Sequence, residues 1–358
     1  WQFAIVGGDA PDPAYQDQQL GAALIFIAGV LWIGRKHWAM IGRALVGATR
    51  PGDARGAFIS YRKAAIALIL GIAVMLGWLL VLKCVWWLAI CIVLMILMAH
   101  IITARVVAET GLAFIRVSVD LNSVLTSLPA TMLTPRDMYL SGMGHMNFMT
   151  SARESAMTFA LHGLNVVDDA NPPAKERKRV LPLMTLALIV ALASGIVASL
   201  WCYYTYALPL DNSPNNVLNI WALQNWPSNA LVALPTQVDR GMFPSKGHNP
   251  WLHLGIGIAI MTVLQLMTWR FSAWPLLPVG YLMCTSWYVT SAWFSLFLGW
   301  IAKTLILRFG GSKLFNDLKP VFIGLIFGEA LATGLWLLIT LLLAVEGAEL
   351  RITRFLPQ

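Results

Sequence analysis

An ionisable side chain within an apolar helix is the strongest chemical signal in this sequence. Glu329 lies inside the apolar run 320–345, and a charge within a bilayer is costly enough to be a functional candidate by default. Gly324, Gly328 and Ala332 recur every four residues around it, and such a stripe lets a second helix approach closely. We interpret Glu329 as a candidate proton, cation or substrate site. The alternative is a carboxylate that hydrogen-bonds a neighbouring helix for packing.

A second group of polar residues follows the third apolar run. Arg105 and Glu109 are four residues apart and can pair on one helix face, and Asp120 and Asn122 follow in a moderately apolar stretch. This pattern suits a broken or re-entrant element, which is tolerated only where protein or a watery cavity surrounds it. Transporters often bind substrates at such discontinuities. These four residues are therefore candidate substrate or ion ligands, and the alternative is an ordinary amphipathic helix after a span.

Patterns for other chemistries are weak or missing from the sequence. Segment 142–149 combines methionine with histidine, which suits a soft metal, and His100 and His162 are possible haem ligands, but none has partners at a defined spacing. The sequence contains no phosphate-binding loop, nucleophile elbow, HExxH or dinucleotide-binding glycine pattern. We therefore expect no enzyme activity, no catalytic residue, no cofactor and no metal.

Composition predicts the elements that position these residues. Of 358 residues, 58% are hydrophobic and 12% are charged, whereas soluble domains carry about 25% charged residues. A spanning helix needs about 20 mostly apolar residues, and about eight runs approach this length. The sequence thus predicts an all-α, polytopic transmembrane bundle with possible re-entrant helices and excludes a soluble enzyme. The predicted spans are 18–34, 64–82, 85–102, 181–208, 251–268, 275–290, 291–309 and 320–345.

The connections between these runs complete one transmembrane domain over residues 1–358. Two spans of similar length around Lys83 predict a tight helical hairpin. Region 103–180 is expected to be cytoplasmic or re-entrant, and 209–250 to contain a periplasmic amphipathic segment. We divide 275–309 near Thr290, because one helix of that length would exceed a bilayer core of about 30 Å.

The net charge of +8 reflects Lys and Arg in alternate connections, as expected for loops on the inner side of a membrane. Without a basic stripe interleaved with aromatic residues, nucleic acid is not an expected partner. The expected partners are membrane lipids and either other membrane subunits or further copies of the chain.

Several motifs together resemble a known family. They are QQLGA at 18–22, LWIGR at 31–35, ARVVAETG at 104–111, ARESAMTF at 152–159, WPLLPVGY at 274–281, GWIAK at 299–303, LRFGG at 307–311 and GLIFGE at 324–329. The sequence resembles an uncharacterised family of bacterial polytopic membrane proteins, which is distantly similar to oligopeptide and metal–siderophore transporters. The resemblance implies an all-helical, transporter-like fold in the bacterial inner membrane and transfers no catalytic residue.

The sequence departs from that family at two places. Members typically have a substantial membrane portion before the point that matches Trp1, so the sequence is expected to be the C-terminal part of such a protein. Leu-Ala-Phe follows Gly111, where a proline is common in the family.

Two functions follow as expectations. The first is a proton- or cation-coupled secondary transporter of a peptide-like or chelate solute, with the five ionisable or polar candidates along its pathway. In this hypothesis Glu329→Gln abolishes pH-dependent uptake. The alternative is a non-catalytic accessory subunit of a larger membrane complex.

Overall fold

The computed structural model describes residues 13–48, 58–111, 121–148, 155–205, 234–241, 243, 249–271, 274–284 and 286–345. Every regular element in these ranges is a helix, which confirms the all-α class. The chain divides into two compact units, Trp1–Met283 and Cys284–Gln358.

The first unit is built from helices of very different lengths. In chain order they are α1 (Pro13–Ile33), α2 (Arg35–Val46), α3 (Tyr61–Val81), α4 (Trp86–Thr110), α5 (Asn122–Leu125), a 3₁₀ turn (Ala130–Met132), α6 (Pro135–Phe148), α7 (Ala156–Asp169), α8 (Ala174–Thr205), α9 (Leu234–Asp239), α10 (Pro250–Arg270) and α11 (Pro278–Met283). The second unit contains α12 (Trp287–Val345).

Six helices in the described part of the chain are long and apolar enough to cross a membrane: α1, α3, α4, α8, α10 and α12. They support a membrane protein with several transmembrane helices. The count of eight spans stays a prediction, as does the single-domain organisation. The predicted segment 209–250 lies largely outside the described residues, which include α9 and the start of α10 within it.

A tight turn joins α3 to α4, as predicted around Lys83. The backbone of Lys83 is left-handed with φ 59°, and the N–H of Cys84 donates to the carbonyl of Leu79 at 3.0 Å while that of Lys83 donates to Leu80 at 2.9 Å. These two bonds form a Schellman motif, which satisfies carbonyls at the end of α3. The chain reverses here within a few residues, and α4 begins at Trp86.

A buried carboxylate fastens this hairpin to α6. Asp137 is fully buried, and its Oδ1 accepts the backbone N–H of Val85 at 3.0 Å. Its Oδ2 accepts the backbone N–H and the hydroxyl of Thr134 at 2.9 and 2.7 Å, and Thr134 Oγ1 accepts the N–H of Asp137 at 3.3 Å. This reciprocal pattern is a capping box at the start of α6. One side chain therefore satisfies donors at the beginnings of both α4 and α6.

In the described residues of the second unit, the regular structure is one long helix with a break. Helix α12 has 59 residues, or about 88 Å at the usual rise, which is far more than a bilayer core of about 30 Å. Gly311 interrupts it with φ 67° and ψ −170°, a conformation that glycine adopts readily. Thr290, where the sequence suggests a division, lies inside α12. Apolar composition alone does not locate such a boundary, because both sides of it are equally apolar.

We predict that Asp137→Ala destabilises the folded protein by about 2–4 kcal/mol, because it leaves buried donors of Val85 and Thr134 without their acceptor. Thermal unfolding in detergent measures the change. The matched control is Asp317→Ala, which removes an exposed carboxylate and should change stability by no more than about 0.5 kcal/mol. Equal effects of the two substitutions would contradict the role assigned to Asp137.

Cys84 lies in the hairpin turn and should react slowly with alkylating reagents. Burial, with a smaller effect of the Asp137 carboxylate, raises the pKa of its thiol to about 12, and the thiolate is the reactive form. At pH 8, mass spectrometry after brief alkylation should find the exposed Cys284 modified and Cys84 intact. Because the pKa is raised in the folded state, this thiol favours folding at neutral pH and loses that contribution as pH rises above about 9. Rapid labelling of Cys84 in the folded protein would contradict this.

Candidate functional site

Helices α1 and α10 approach each other closely enough to bring their backbones into contact. A Cβ atom at Gly21 would overlap the carbonyl oxygen of Leu254, and one at Gly257 would overlap the carbonyl oxygen of Gln18. Small residues at a helix crossing permit this approach in membranes, where van der Waals packing is a main attraction between helices. Further along the pair, the buried Gln265 donates from Nε2 to the carbonyl of Phe26 at 3.4 Å.

Polar side chains collect where α1 begins beside α10 and α11. Gln18 Nε2 lies 3.0 Å from His253 Nδ1, and the hydroxyl of Tyr281 donates to Gln18 Oε1 at 3.3 Å. Gln19 Nε2 donates to the backbone carbonyl of Tyr281 at 2.8 Å. Asp17 and Gln19 are 0% and 1% exposed. Buried polar groups require partners, and in this cluster Gln18 and Gln19 of α1 find them on α10 and α11.

The hydrogen bonds around Gln18 fix the orientation of its side-chain amide. Because the hydroxyl of Tyr281 donates to Oε1, the amide nitrogen of Gln18 faces His253, and an amide N–H₂ only donates. In this arrangement Nδ1 of His253 is the acceptor and carries no proton. Gln18 therefore connects the imidazole of His253 to the hydroxyl of Tyr281.

A cavity of about 600 Å³ lies next to this cluster. Its wall is mainly apolar and includes Ile260 and Leu264 of α10 together with residues from the segment 275–283. Glu109 and Thr110, at the end of α4, and Tyr281 line it as well. Small-molecule sites typically have volumes of about 300–1,000 Å³ and combine apolar walls with a few polar groups. The cavity fits this description, and Tyr281 belongs both to its wall and to the polar cluster.

Arg105 and Glu109 form the ion pair that their spacing predicts, with 2.6 Å between Arg105 Nε and Glu109 Oε1. Both side chains are partly exposed, at 54% and 33%, so the pair contributes little to stability. Helix α4 ends at the left-handed Gly111, whose N–H donates to the carbonyl of Val107 at 2.8 Å. The structure thus places Glu109 at the wall of the cavity with Arg105 one turn before it.

Asn122 is buried and is not among the described residues that line this cavity. It accepts a hydrogen bond from the hydroxyl of Ser141 at 2.8 Å, and this bond joins α5 to α6. The interpretation of Asn122 as a substrate or ion ligand stays a prediction. Asp120 lies outside the described residues, so its predicted role stays a prediction.

Glu329 and its stripe of small residues lie on α12, in the second unit. Glu329 is exposed, and its backbone carbonyl accepts the hydroxyl of Thr333 at 2.7 Å. Added Cβ atoms at Gly324 and Gly328 would meet no heavy atom within 4 Å, and Ala332 is also exposed. Within the described residues of the second unit, therefore, no other helix packs on this stripe. The interpretation of Glu329 as an ion or substrate site stays a prediction.

Sequence reasoning missed Gln18, His253, Tyr281 and Asp137. Gln18 and His253 stand near the starts of apolar runs, where polar residues are ordinary, and 235 positions separate them. Asp137 follows Thr134-Pro-Arg, which is a capping-box spacing with Asp in place of Glu. That spacing was a usable signal for Asp137, whereas the pairing of Gln18 with His253 had none in a single sequence.

We predict that Gly257→Leu lowers the thermal unfolding midpoint of the purified protein, because the new side chain forces α1 and α10 apart. Overpacking of this kind typically costs about 1–3 kcal/mol. Gly255→Leu is the matched control on the same helix, since an added Cβ there meets no atom within 4 Å. Similar midpoints for the two variants would show that the backbone contact does not limit stability.

Comparison with known proteins identifies a family. No curated protein and no solved structure matches the chain. Residues 3–351 match the DUF6785 family, a family of unknown function. Because this match extends over nearly the whole sequence, the chain belongs to the DUF6785 family.

Proposed function

We propose that this protein is a proton-coupled secondary transporter, in a bacterial inner membrane, of a peptide-like or chelate solute. The observation that carries the proposal is the cavity beside the Gln18–His253–Tyr281 cluster. Polar groups in spanning helices are costly and tend to mark substrate or ion pathways. The sequence resemblance to oligopeptide and metal–siderophore transporters supports the same class.

The cavity wall favours a solute with an apolar body and a positive group. Ile260 and Leu264 provide apolar surface, and Glu109 provides a carboxylate at the same wall. Arg105 holds Glu109 by a partly exposed ion pair, which an incoming cation can replace at small cost because such pairs are weak. A peptide with apolar side chains and a free amino terminus has this chemistry.

Coupling to protons would use the hydrogen bonds of Gln18. A proton added to His253 Nδ1 makes that nitrogen a donor, so Gln18 must turn its amide and present Oε1 to the ring. Its Nε2 then faces the Tyr281 hydroxyl, which becomes an acceptor instead of a donor. Protonation of His253 would in this way change the hydrogen bonding of a residue at the cavity wall.

Few other titratable groups lie on the elements around His253. Among the described residues, Asp17 and Tyr15 are on α1, Tyr281 is on α11, and α5 carries none. Asp17 is fully buried and precedes Gln18 in the sequence. This arrangement makes His253 a better-supported coupling residue than Glu329.

Uptake by the purified chain in liposomes tests the proposal. An apolar dipeptide with a free amino terminus should accumulate when the compartment outside is made acidic. Its N-acetylated form, which lacks the cation, should be taken up less. Glu109→Gln should reduce uptake of the free dipeptide about tenfold, by loss of a charge-assisted contact, and Glu176→Gln, a change at an exposed position, should leave it unchanged.

Variants of His253 and Glu329 test which of the two residues couples uptake to protons. His253→Gln should leave uptake down a solute gradient in place and remove its dependence on pH, whereas Glu329→Gln should retain that dependence. The reverse result would assign coupling to Glu329. No flux of either dipeptide or of a ferric siderophore, together with fixed copurifying partners, would favour the accessory-subunit alternative.

A further inference from the structure

Helix α2 lies between two apolar helices that can cross the membrane. It follows α1 after Gly34 and precedes α3, and the rings of His37 and Tyr61 meet edge to face with centroids 5.4 Å apart. Tyr61 is the first residue of α3. Because the end of one span and the start of the next must reach the same membrane surface, this contact places the beginning of α2 at that surface.

The residues of α2 divide into three faces at helical spacing. His37 and the buried Ala44 lie on the side that packs against α3. Trp38, Ile41 and Leu45, at intervals of three and four, form an apolar face. Trp38 is 42% exposed, so this face is not fully covered within the first unit.

The remaining face of α2 is basic. Arg35 and Lys36 are exposed on it, on the side away from the contact with α3, and Arg43 lies on the same side with its Nε buried. Arg62 and Lys63 follow at the exposed start of α3. Residues 34–48 and 58–81 contain neither Asp nor Glu. The acidic residue that the structure places near Phe58 is Asp168, which is paired with Arg177.

A cation–π contact anchors the basic face to an aromatic ring at the end of the span. The guanidinium carbon of Arg35 lies 4.6 Å from the ring centroid of Trp32, and Arg35 Nη1 donates to the carbonyl of Trp32 at 3.3 Å. Trp32 is 61% exposed. Tryptophan is enriched at the level of lipid headgroups, so this contact sets Arg35 at the same level.

We propose that α2 and the start of α3 form a binding surface for anionic phospholipids. The basic face contacts the phosphate headgroups, and the apolar face enters the boundary between headgroups and acyl chains. Helices with one basic and one apolar face bind at membrane interfaces through electrostatic attraction to anionic lipids and through burial of apolar surface. Charge complementarity selects anionic over zwitterionic lipids. The proposal is independent of the proposed transport function, because neither the cavity nor the polar cluster takes part.

Thermal unfolding of the purified chain in neutral detergent tests this surface. Short-chain phosphatidylglycerol should raise the unfolding midpoint in a saturable way, and phosphatidylcholine of the same chain length should do so only at much higher concentration. The variant R35Q/K36Q/R62Q, which changes three exposed residues, should raise the half-saturating concentration of phosphatidylglycerol about tenfold or more, because each basic residue near an anionic surface contributes substantially to binding. The control K303Q/R308Q/K313Q removes the same charge from α12 and should leave it unchanged.

Further measurements keep the test decisive if the triple variant folds poorly. With the unaltered chain, about 1 M salt should abolish the preference for phosphatidylglycerol, since the Debye length is then only about 3 Å. Equal effects of the two lipids, or of the two triple variants, would overturn the proposal. So would an equal rise in midpoint with inorganic phosphate, which would indicate a site for a free anion.

Discussion

The contact between the backbones of α1 and α10 is the constraint on which the candidate site depends. Gly21 and Gly257 let two helices from opposite ends of the first unit touch, and no larger residue fits at either position without moving a helix. The hydrogen bonds of the polar cluster depend on this close approach of α1 and α10. Gln18 reaches His253 because its own carbonyl already lies against Gly257, and Gln19 reaches the backbone of Tyr281 from the next position on α1. The cavity is in turn partly lined by α10 and by the segment that carries Tyr281.

Polar groups in the spanning helices are balanced by neighbours on other elements. Gln265 of α10 contacts a carbonyl of α1, and outside the spanning helices Asn122 of α5 contacts Ser141 of α6. On α4, His100 Nδ1 lies 3.2 Å from the hydroxyl of Ser155 at the start of α7. In water such groups would find solvent partners, but in a bilayer they hold helices together because lipid provides none. These few polar contacts therefore help to determine which helices of the first unit pack together. Its apolar surface is less selective, because apolar side chains can pack against lipid as well as against other helices.

Part of this organisation can be predicted from the sequence, because that part depends on residues that are close together in the chain. The hairpin at Lys83 and the pair Arg105–Glu109 depend on residues close together in the chain, so spacing alone predicts them. Composition predicts the all-α class for the same reason, since a bilayer leaves helices as the only solution for long apolar runs. Gln18 and His253, by contrast, come together only because two distant helices cross. The sequence alone does not distinguish Gly257, which lies at that crossing, from Gly255, where an added Cβ would meet no atom within 4 Å. Glu329 is the opposite case, because a carboxylate deep in an apolar run attracts attention whether or not another helix meets it.

The separation of α1 from α10 along the chain also has a consequence for biosynthesis. Gln18 and His253 are 235 positions apart, and ribosomes add about 5–20 residues per second. The polar end of α1 is therefore made roughly 10–50 seconds before its partner helix exists. During that interval Asp17, Gln18 and Gln19 must stay in the headgroup region or be held by the insertion machinery. The crossing of α1 with α10 is thus a late event, and the cavity beside it is completed only once α10 and α11 have entered the membrane.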